Sequence, residues 1–297
     1  MGSTEILGIV LAIIASICWS LTPALFSLIL KGKNLKTGIL GVNALRFFGT
    51  LPLVIPVMVL SWQTPIDPLI ILLVFIGAFF GPRLGDQLYL KAISISGSAI
   101  ATPLSHVYVI FVQILAILLL GEEPKLVFFI ASVLVLFGVW VVYGAISHNH
   151  SKVKKIGVLV ITLSLFTGLS WAIATVVSKY ALSYINPALM FGIRGLFLLF
   201  LMNMLAYAKG EFKNIKYIGK LELALTLLAG FIGLGLGVLV YIYALYFAEA
   251  SRVAVVFALI PVLNQFLAAK VAKETITKYT VIGALLVSLG ILLVSIA

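Results

Sequence analysis

Residues 77–92 read GAFFGPRLGDQLYLKA, and they interrupt an apolar segment. Gly77, Gly81 and Gly85 recur every four residues, so an α-helix stacks them on one face. In lipid, small residues at that spacing let a second helix approach closely. Arg83 and Asp86, three apart, fall together on the side opposite the glycines at 100° per residue. Charges within a bilayer turn toward a bundle interior or a watery cavity. One face is therefore expected to pack and the other to look into polar space. The pattern returns 152 residues later as AGFIGLGLGVLVYIYA, residues 229–244. Ala229, Gly233, Gly237, Tyr241 and Ala244 then take the places of Gly77, Gly81, Gly85, Tyr89 and Ala92, and the charged pair is gone.

The rest of the 297 residues is of one kind. Apolar residues make up 63% and charged residues 10%, against about 25% charged in a soluble domain. This is the composition of a polytopic membrane protein. The net charge of +11 points to no nucleic-acid partner, because the basic residues gather in short loops between apolar spans. They suit the anionic inner leaflet of the bilayer. With a span needing about 20 apolar residues, ten transmembrane helices are expected, at 5–30, 38–60, 68–90, 98–120, 126–146, 156–181, 187–208, 223–247, 251–271 and 278–296. The turns between them include Gln63-Thr64-Pro65 and Gly121-Glu122-Glu123-Pro124. Residues 1–4 carry no Lys or Arg, so the first helix itself is expected to direct insertion rather than a cleaved signal. Cys18 is the one cysteine and can form no intrachain disulfide.

The 152-residue offset pairs Trp19 with Trp171, Gln113 with Gln265, Ala116 with Ala268, Glu122 with Glu274 and Gly138 with Gly290; Arg46 and Arg194 differ by 148, which a shorter second-copy loop explains. A tandem duplication follows: repeat 1–146, basic linker 147–155 and repeat 156–297. An odd number of helices per copy inverts the second copy. Inverted repeats of this sort carry a substrate site between halves in secondary transporters. Of the loop cations, fourteen lie on the side opposite the termini and two, Lys125 and Arg252, on the terminal side. The basic side is then cytoplasmic and both termini are extracellular.

Ten helices as five plus five, a mid-helix Trp opening each half and an Arg in each second helix together resemble the drug/metabolite transporter superfamily, EamA type. So do Tyr89-x-x-Ala92 running into a Pro-containing helix that closes on Gly121-Glu122, and its echo in Tyr241-x-x-Ala244, Pro261 and Glu274. The resemblance spans nearly the whole chain. It implies a basket-like bundle with a central cavity lined by the first, third and fourth helices of each half. It also implies transport of small metabolites, and cytoplasmic termini, the reverse of the charge count.

Arg46, Arg83, Asp86, His106, Thr22 and Asn43 converge at one level, roughly 6–12 Å below the basic boundary at 1.5 Å per residue. They are candidate substrate-binding residues. An Arg83–Asp86 pair could instead be structural, with Arg46 snorkelling to headgroups. Pro103 removes a helical hydrogen bond, which frees a carbonyl for a cavity. Thr102, His106 and Gln113 share its helix face. His106, with an ordinary pKa of about 6.5, and Asp86 are the proton-coupling candidates; a hydrogen-bonded structural His is the alternative. The face Ser16, Ser20, Pro23, Ser27 and its counterparts Gly168, Ala172, Thr175, Lys179 either wall the cavity or pack. Trp19 and Trp171 lie mid-span, unlike interfacial belt tryptophans, and Tyr89, Tyr241, Tyr243, Asn264 and Gln265 complete the candidate lining. His148 and His150 lack a third ligand, so no metal site is expected. No phosphate-binding glycine loop, dinucleotide fingerprint, cofactor signature or catalytic constellation stands out. The expectation is a non-enzymatic secondary transporter for a small carboxylate-bearing solute such as an amino acid. It would work by alternating access, as monomer or homodimer. The rivals are an exporter of amphipathic drugs and a membrane receptor without flux.

Overall fold

The computed structural model describes residues 3–31, 38–62, 66–123, 126–147, 151–213, 218–257, 259–271, 273 and 276–296. Gln63-Thr64-Pro65, Pro124, Lys125, Lys33, Lys36, Lys216, His148, His150 and Glu274 lie outside them. Every regular element among the described residues is helical. In order these are α1 (Ser3–Lys31), α2 (Ile39–Phe48), α3 (Leu51–Ser61), α4 (Pro68–Ala78), a π-helix (Phe79–Gly85), α5 (Asp86–Ser96), α6 (Ser98–Ser105), α7 (Tyr108–Leu120) and α8 (Leu126–Ser147). Then come α9 (Ser151–Ala181), α10 (Pro187–Ala208), α11 (Lys220–Ala229), a second π-helix (Gly230–Gly237), α12 (Val238–Phe247), α13 (Ala250–Val256), α14 (Leu259–Lys270) and α15 (Lys278–Ile296).

Seven helical runs among the described residues are long and apolar enough to cross a membrane. The pair α2 and α3, bent by 50°, would make an eighth. Val59, Leu60, Leu118, Leu119, Phe200 and Phe266 stand exposed on the outside. Lipid removes the penalty such a surface meets in water, and helices satisfy most of their backbone polar groups internally.

The breaks in the spans have causes both in the local sequence and in tertiary contacts. At α2–α3, a Cβ on Gly49 would collide with the Leu227 carbonyl, and Pro52 opens α3. Thr50 Oγ1 donates to Phe47 O at 2.7 Å, which closes the end of α2. Pro23 leaves the Trp19 carbonyl without its helical donor, and Thr22 Oγ1 supplies one at 3.1 Å. Pro103 likewise frees Ala99 O, and Gln265 Nε2 takes it at 2.7 Å. That carbonyl was expected to face the cavity; it is occupied by the other half of the chain instead.

The two halves exchange their first helices. α1 packs on α11, α12, α13, α14 and the second π-helix, whereas α9 packs on α4, α5, α6, α7 and the first π-helix. The core therefore lies between α1 and α9, and the site with it. The glycine face of the opening stretch does pack closely, and what it admits is mostly side chains. A Cβ on Gly85 would come within 2.5 Å of Trp171 Cδ1, and one on Gly81 within 2.9 Å of Arg194 Nη2. The counterpart contact sets Gly237 against Trp19, where a Cβ would lie 2.7 Å from Nε1.

Candidate functional site

The two π-helices begin and end at positions one or no residues from the 152-residue correspondence, Phe79–Gly85 against Gly230–Gly237. In a π turn the hydrogen bond runs from i to i+5, so the residue five on lies nearly above its start. Asp86 is five beyond Gly81 and thus comes round to the glycine face. Arg83, two beyond, stays on the opposite side. This corrects the expected arrangement, which assumed 100° per residue throughout. Asp86 and Gly81 both line a cavity between the halves, and Arg83 does not. Among the described residues Arg83 forms no ion pair, and its buried Nε finds no acceptor. The partner of Asp86 is Arg46, with Nη2 3.3 Å from Oδ2.

The cavity holds about 860 Å³ of empty space, its open mouth included. Of its 21 lining residues, 18 form nine pairs related by the repeat offset: Trp19/Trp171, Thr22/Ala174, Pro23/Thr175, Arg46/Arg194, Gly81/Gly233, Pro82/Leu234, Asp86/Val238, Tyr89/Tyr241 and Tyr108/Ile260. Phe26, His106 and Phe257 complete the wall. Of the residues singled out from the sequence, Trp19, Thr22, Pro23, Arg46, Asp86, Tyr89, His106, Trp171, Thr175 and Tyr241 are therefore in it. Asn43 stands behind, holding Arg46 Nη1 on its Oδ1 at 2.9 Å. Asn264 and Gln265 pin α14 to α6, donating to Ser98 O at 3.0 Å and to Ala99 O. Gln113 is buried on α7, away from the wall. Tyr243 stacks on Phe247. Of the small-residue face, Ser27 Oγ accepts from Ser98 N, and Lys179 Nζ donates to Leu245 O and Ala248 O, so both tie helices together.

Sequence reasoning had no argument for Phe26, Tyr108 and Phe257. An apolar or aromatic residue at mid-span reads as ordinary core, and only its distance from the duplication's partner helix reveals it as wall. Arg194 was noticed as an embedded charge, and its place opposite Arg46 was legible in the 148-residue spacing.

The wall is aromatic and hydrogen-bonded. Trp19 lies 5.0 Å from both Tyr241 and Phe257, ring to ring, and Trp171 lies 5.0 Å from Tyr89. Each tyrosine is held through its hydroxyl, Tyr89 to Thr102 at 2.6 Å and Tyr241 to Thr175 at 2.7 Å. The Trp19 indole donates to Gly233 O at 2.8 Å and the Trp171 indole to Asp86 Oδ1 at 3.0 Å. His106 Nδ1 sits 2.8 Å from the Thr102 carbonyl. A carbonyl can only accept, which puts the proton on Nδ1 and leaves Nε2 an acceptor. Such a chamber can hold a small solute by ring contacts and orient it by a few polar groups.

A model of the EamA-like transporter family matches the chain twice, over residues 6–144 and 156–296. The chain belongs to the EamA-like transporter family. It is a multi-pass membrane transporter, with the bilayer around it and a small molecule as its substrate. An uncharacterized transporter of Archaeoglobus fulgidus is 25% identical over 290 residues, 97% of each chain. A solved crystal structure is similar with a TM-score of 0.68 at 16% identity, covering 97% of this chain and 96% of that one. At that identity the likeness speaks for the fold alone.

Proposed function

We propose that the protein is a secondary transporter for a small carboxylate-bearing metabolite, an amino acid or another organic anion, moved by alternating access. The reading takes the chain as ten helices in two inverted repeats, 1–146 and 156–297, joined by the linker 147–155. The double family match, the matched π-helices and the nine paired wall positions support it. Inverted repeats give alternating access a simple form, because each half can adopt the other's packing about a central site.

One observation carries the substrate class. The wall holds two guanidinium groups, Arg46 and Arg194, and a single carboxylate, Asp86, which pairs with Arg46. An embedded surplus of positive charge is costly in a low-dielectric site unless an anion joins it. The test is uptake into proteoliposomes across amino acids, organic anions and lipophilic cations. Saturable carboxylate flux is expected. Flux of lipophilic cations alone would favour a drug exporter, and saturable binding without flux of any solute a receptor.

The two candidates for a coupling proton are Asp86 and His106, which face the cavity from adjacent elements of the first half. If one of them carries a proton with the solute, an inward proton gradient changes the initial rate, and replacing that residue by Asn removes the response while leaving exchange. A rate indifferent to the gradient argues for uniport or exchange.

A further inference from the structure

The two cavity arginines occupy equivalent places in the halves, yet their surroundings have diverged completely. Arg46 is saturated. Asp86 pairs with Nη2, Asn43 accepts from Nη1, and the Phe26 ring lies 4.3 Å below Cζ. Applying the repeat offset to those three partners gives Val238 for Asp86, Phe191 for Asn43 and Ser178 for Phe26. Arg194 thus keeps its guanidinium and has lost both the counterion and the amide. What remains is one contact at the outer limit of a hydrogen bond, Nη1 to Ser178 Oγ at 3.4 Å. Nε has no partner, and the residue is 5% exposed. No carboxylate lies within ion-pair distance of it among the described residues. Gly81 has no side chain where a Cβ would come within 2.9 Å of Nη2, so the guanidinium reaches across from α10 to the first π-helix at the cavity wall.

We propose that Arg194 is the receptor for the substrate's anionic group, which occupies at Arg194 the place that Asp86 occupies at Arg46. The inference rests on the transport reading and sharpens it. Arg46 is excluded as receptor because the protein already supplies its anion. The chamber's surplus is one positive charge, so it matches a monoanion rather than a dianion. A planar guanidinium with free N–H groups suits a carboxylate, which can accept two parallel bonds. The second half's wall offers Val238, Leu234 and Ile260 beside the Tyr241 and Phe257 rings, with no carboxylate at the Asp86 position and no tyrosine at the Tyr108 position. The rest of the solute is therefore an apolar body.

Binding by the purified full-length protein tests this, with benzoate as the anionic probe and benzamide as its neutral match. Quenching of tryptophan fluorescence is a suitable readout, since Trp19 and Trp171 line the chamber. Benzoate is expected to bind saturably and benzamide not. Arg194→Gln should weaken benzoate by roughly thirtyfold or more, the scale of losing one buried charge partner. Because removing a buried arginine can also disturb folding, Val238→Asp is the second arm. It returns to Arg194 the carboxylate that the second repeat lacks, and should abolish benzoate binding while raising thermal stability; Val238→Asn, of the same shape, should keep binding. Equal binding of benzamide, no saturable binding of benzoate, or full benzoate affinity in Val238→Asp would each overturn the assignment. Carboxylate flux that persists in Val238→Asp overturns the receptor and leaves transport standing. Benzoate binding that follows the expected pattern in a protein with no carboxylate flux does the opposite.

Discussion

At the residue scale, Asp86 takes Arg46 as its ion partner and not Arg83, three residues before it. Arg46, Asp86 and Arg194 announce themselves because an embedded charge in so apolar a chain needs a reason. Which arginine takes Asp86 depends on helical phase, and a π turn alters the phase without leaving a mark that spacing alone can reveal. Two consequences can be measured. Arg46→Met leaves Asp86 without its ion partner in a side chain only 16% exposed, and should cost about 3 kcal/mol in detergent unfolding. Adding Asp86→Val should recover most of that loss, since the second repeat already holds Val at this position. A double variant no more stable than Arg46→Met would mean that the pair contributes nothing. Arg83→Ala, in contrast, removes a group with no ion pair and no place in the wall, so flux should stay within about twofold, as for changes away from buried partners. Loss of flux from a folded Arg83→Ala protein would return that residue to the site.

At the element scale, the seven runs that are long and apolar enough to cross a membrane among the described residues are readable from apolar length, and their interruptions are not. Residues 38–60 read as one helix because Gly49, Thr50 and Pro52 sit within an apolar run. The bend comes from α11 and the second π-helix pressing on Gly49, a tertiary contact no local pattern encodes. The same contacts explain the glycines at a spacing of four. They were read as a seam for another backbone, and in Gly85 and Gly237 they make room for an indole instead. Gly237→Ala places a methyl 2.7 Å from Trp19 Nε1 and 3.1 Å from the Ile232 carbonyl, so the ring must shift and its bond to Gly233 O stretches. Over-packing of this kind costs about 1–3 kcal/mol. The expected result is a lower melting temperature together with altered tryptophan emission. An unchanged melting curve would show that the indole is free to yield. Gln265→Leu probes the other device: it removes the hydrogen bond that Gln265 Nε2 gives the Ala99 carbonyl, and should cost about 1 kcal/mol in detergent unfolding.

At the scale of the whole molecule, the 152-residue repeat in the sequence points to the walls of one candidate chamber. A 152-residue offset written in Trp, Gly, Tyr and Arg reappears as nine pairs facing one chamber. The offset could not tell which half contributes polarity. That follows from the divergence of Asp86 and Val238, Thr22 and Ala174, and Tyr108 and Ile260, meaningful only once both walls are known to enclose the same space. The chamber also bears on orientation, because a solute must meet it from a defined side. Lys31, Lys33 and Lys36 fill the first loop of the first repeat, and its counterpart, 183–186, has no Lys or Arg. The second loop, 61–67, has none, and its counterpart, 209–220, has four lysines. Each repeat carries its cations where a fixed, opposite orientation would need them, and every such loop is short enough for the positive-inside effect. Of the two cations on the terminal side, Arg252 is engaged by Glu5 at 3.0 Å and Glu249 at 2.9 Å, which joins α1 to α13 across the halves. The termini are therefore expected outside the cell, against the family pattern implied by resemblance. A single cysteine at Ser3 or Ser295, in a Cys18→Ala background, reads this directly. Labelling of intact cells by an impermeant maleimide places the termini outside. Labelling only after lysis reverses the orientation, and would present the basic loops, with the Arg46–Asp86 end of the chamber behind them, to solutes arriving from the exterior.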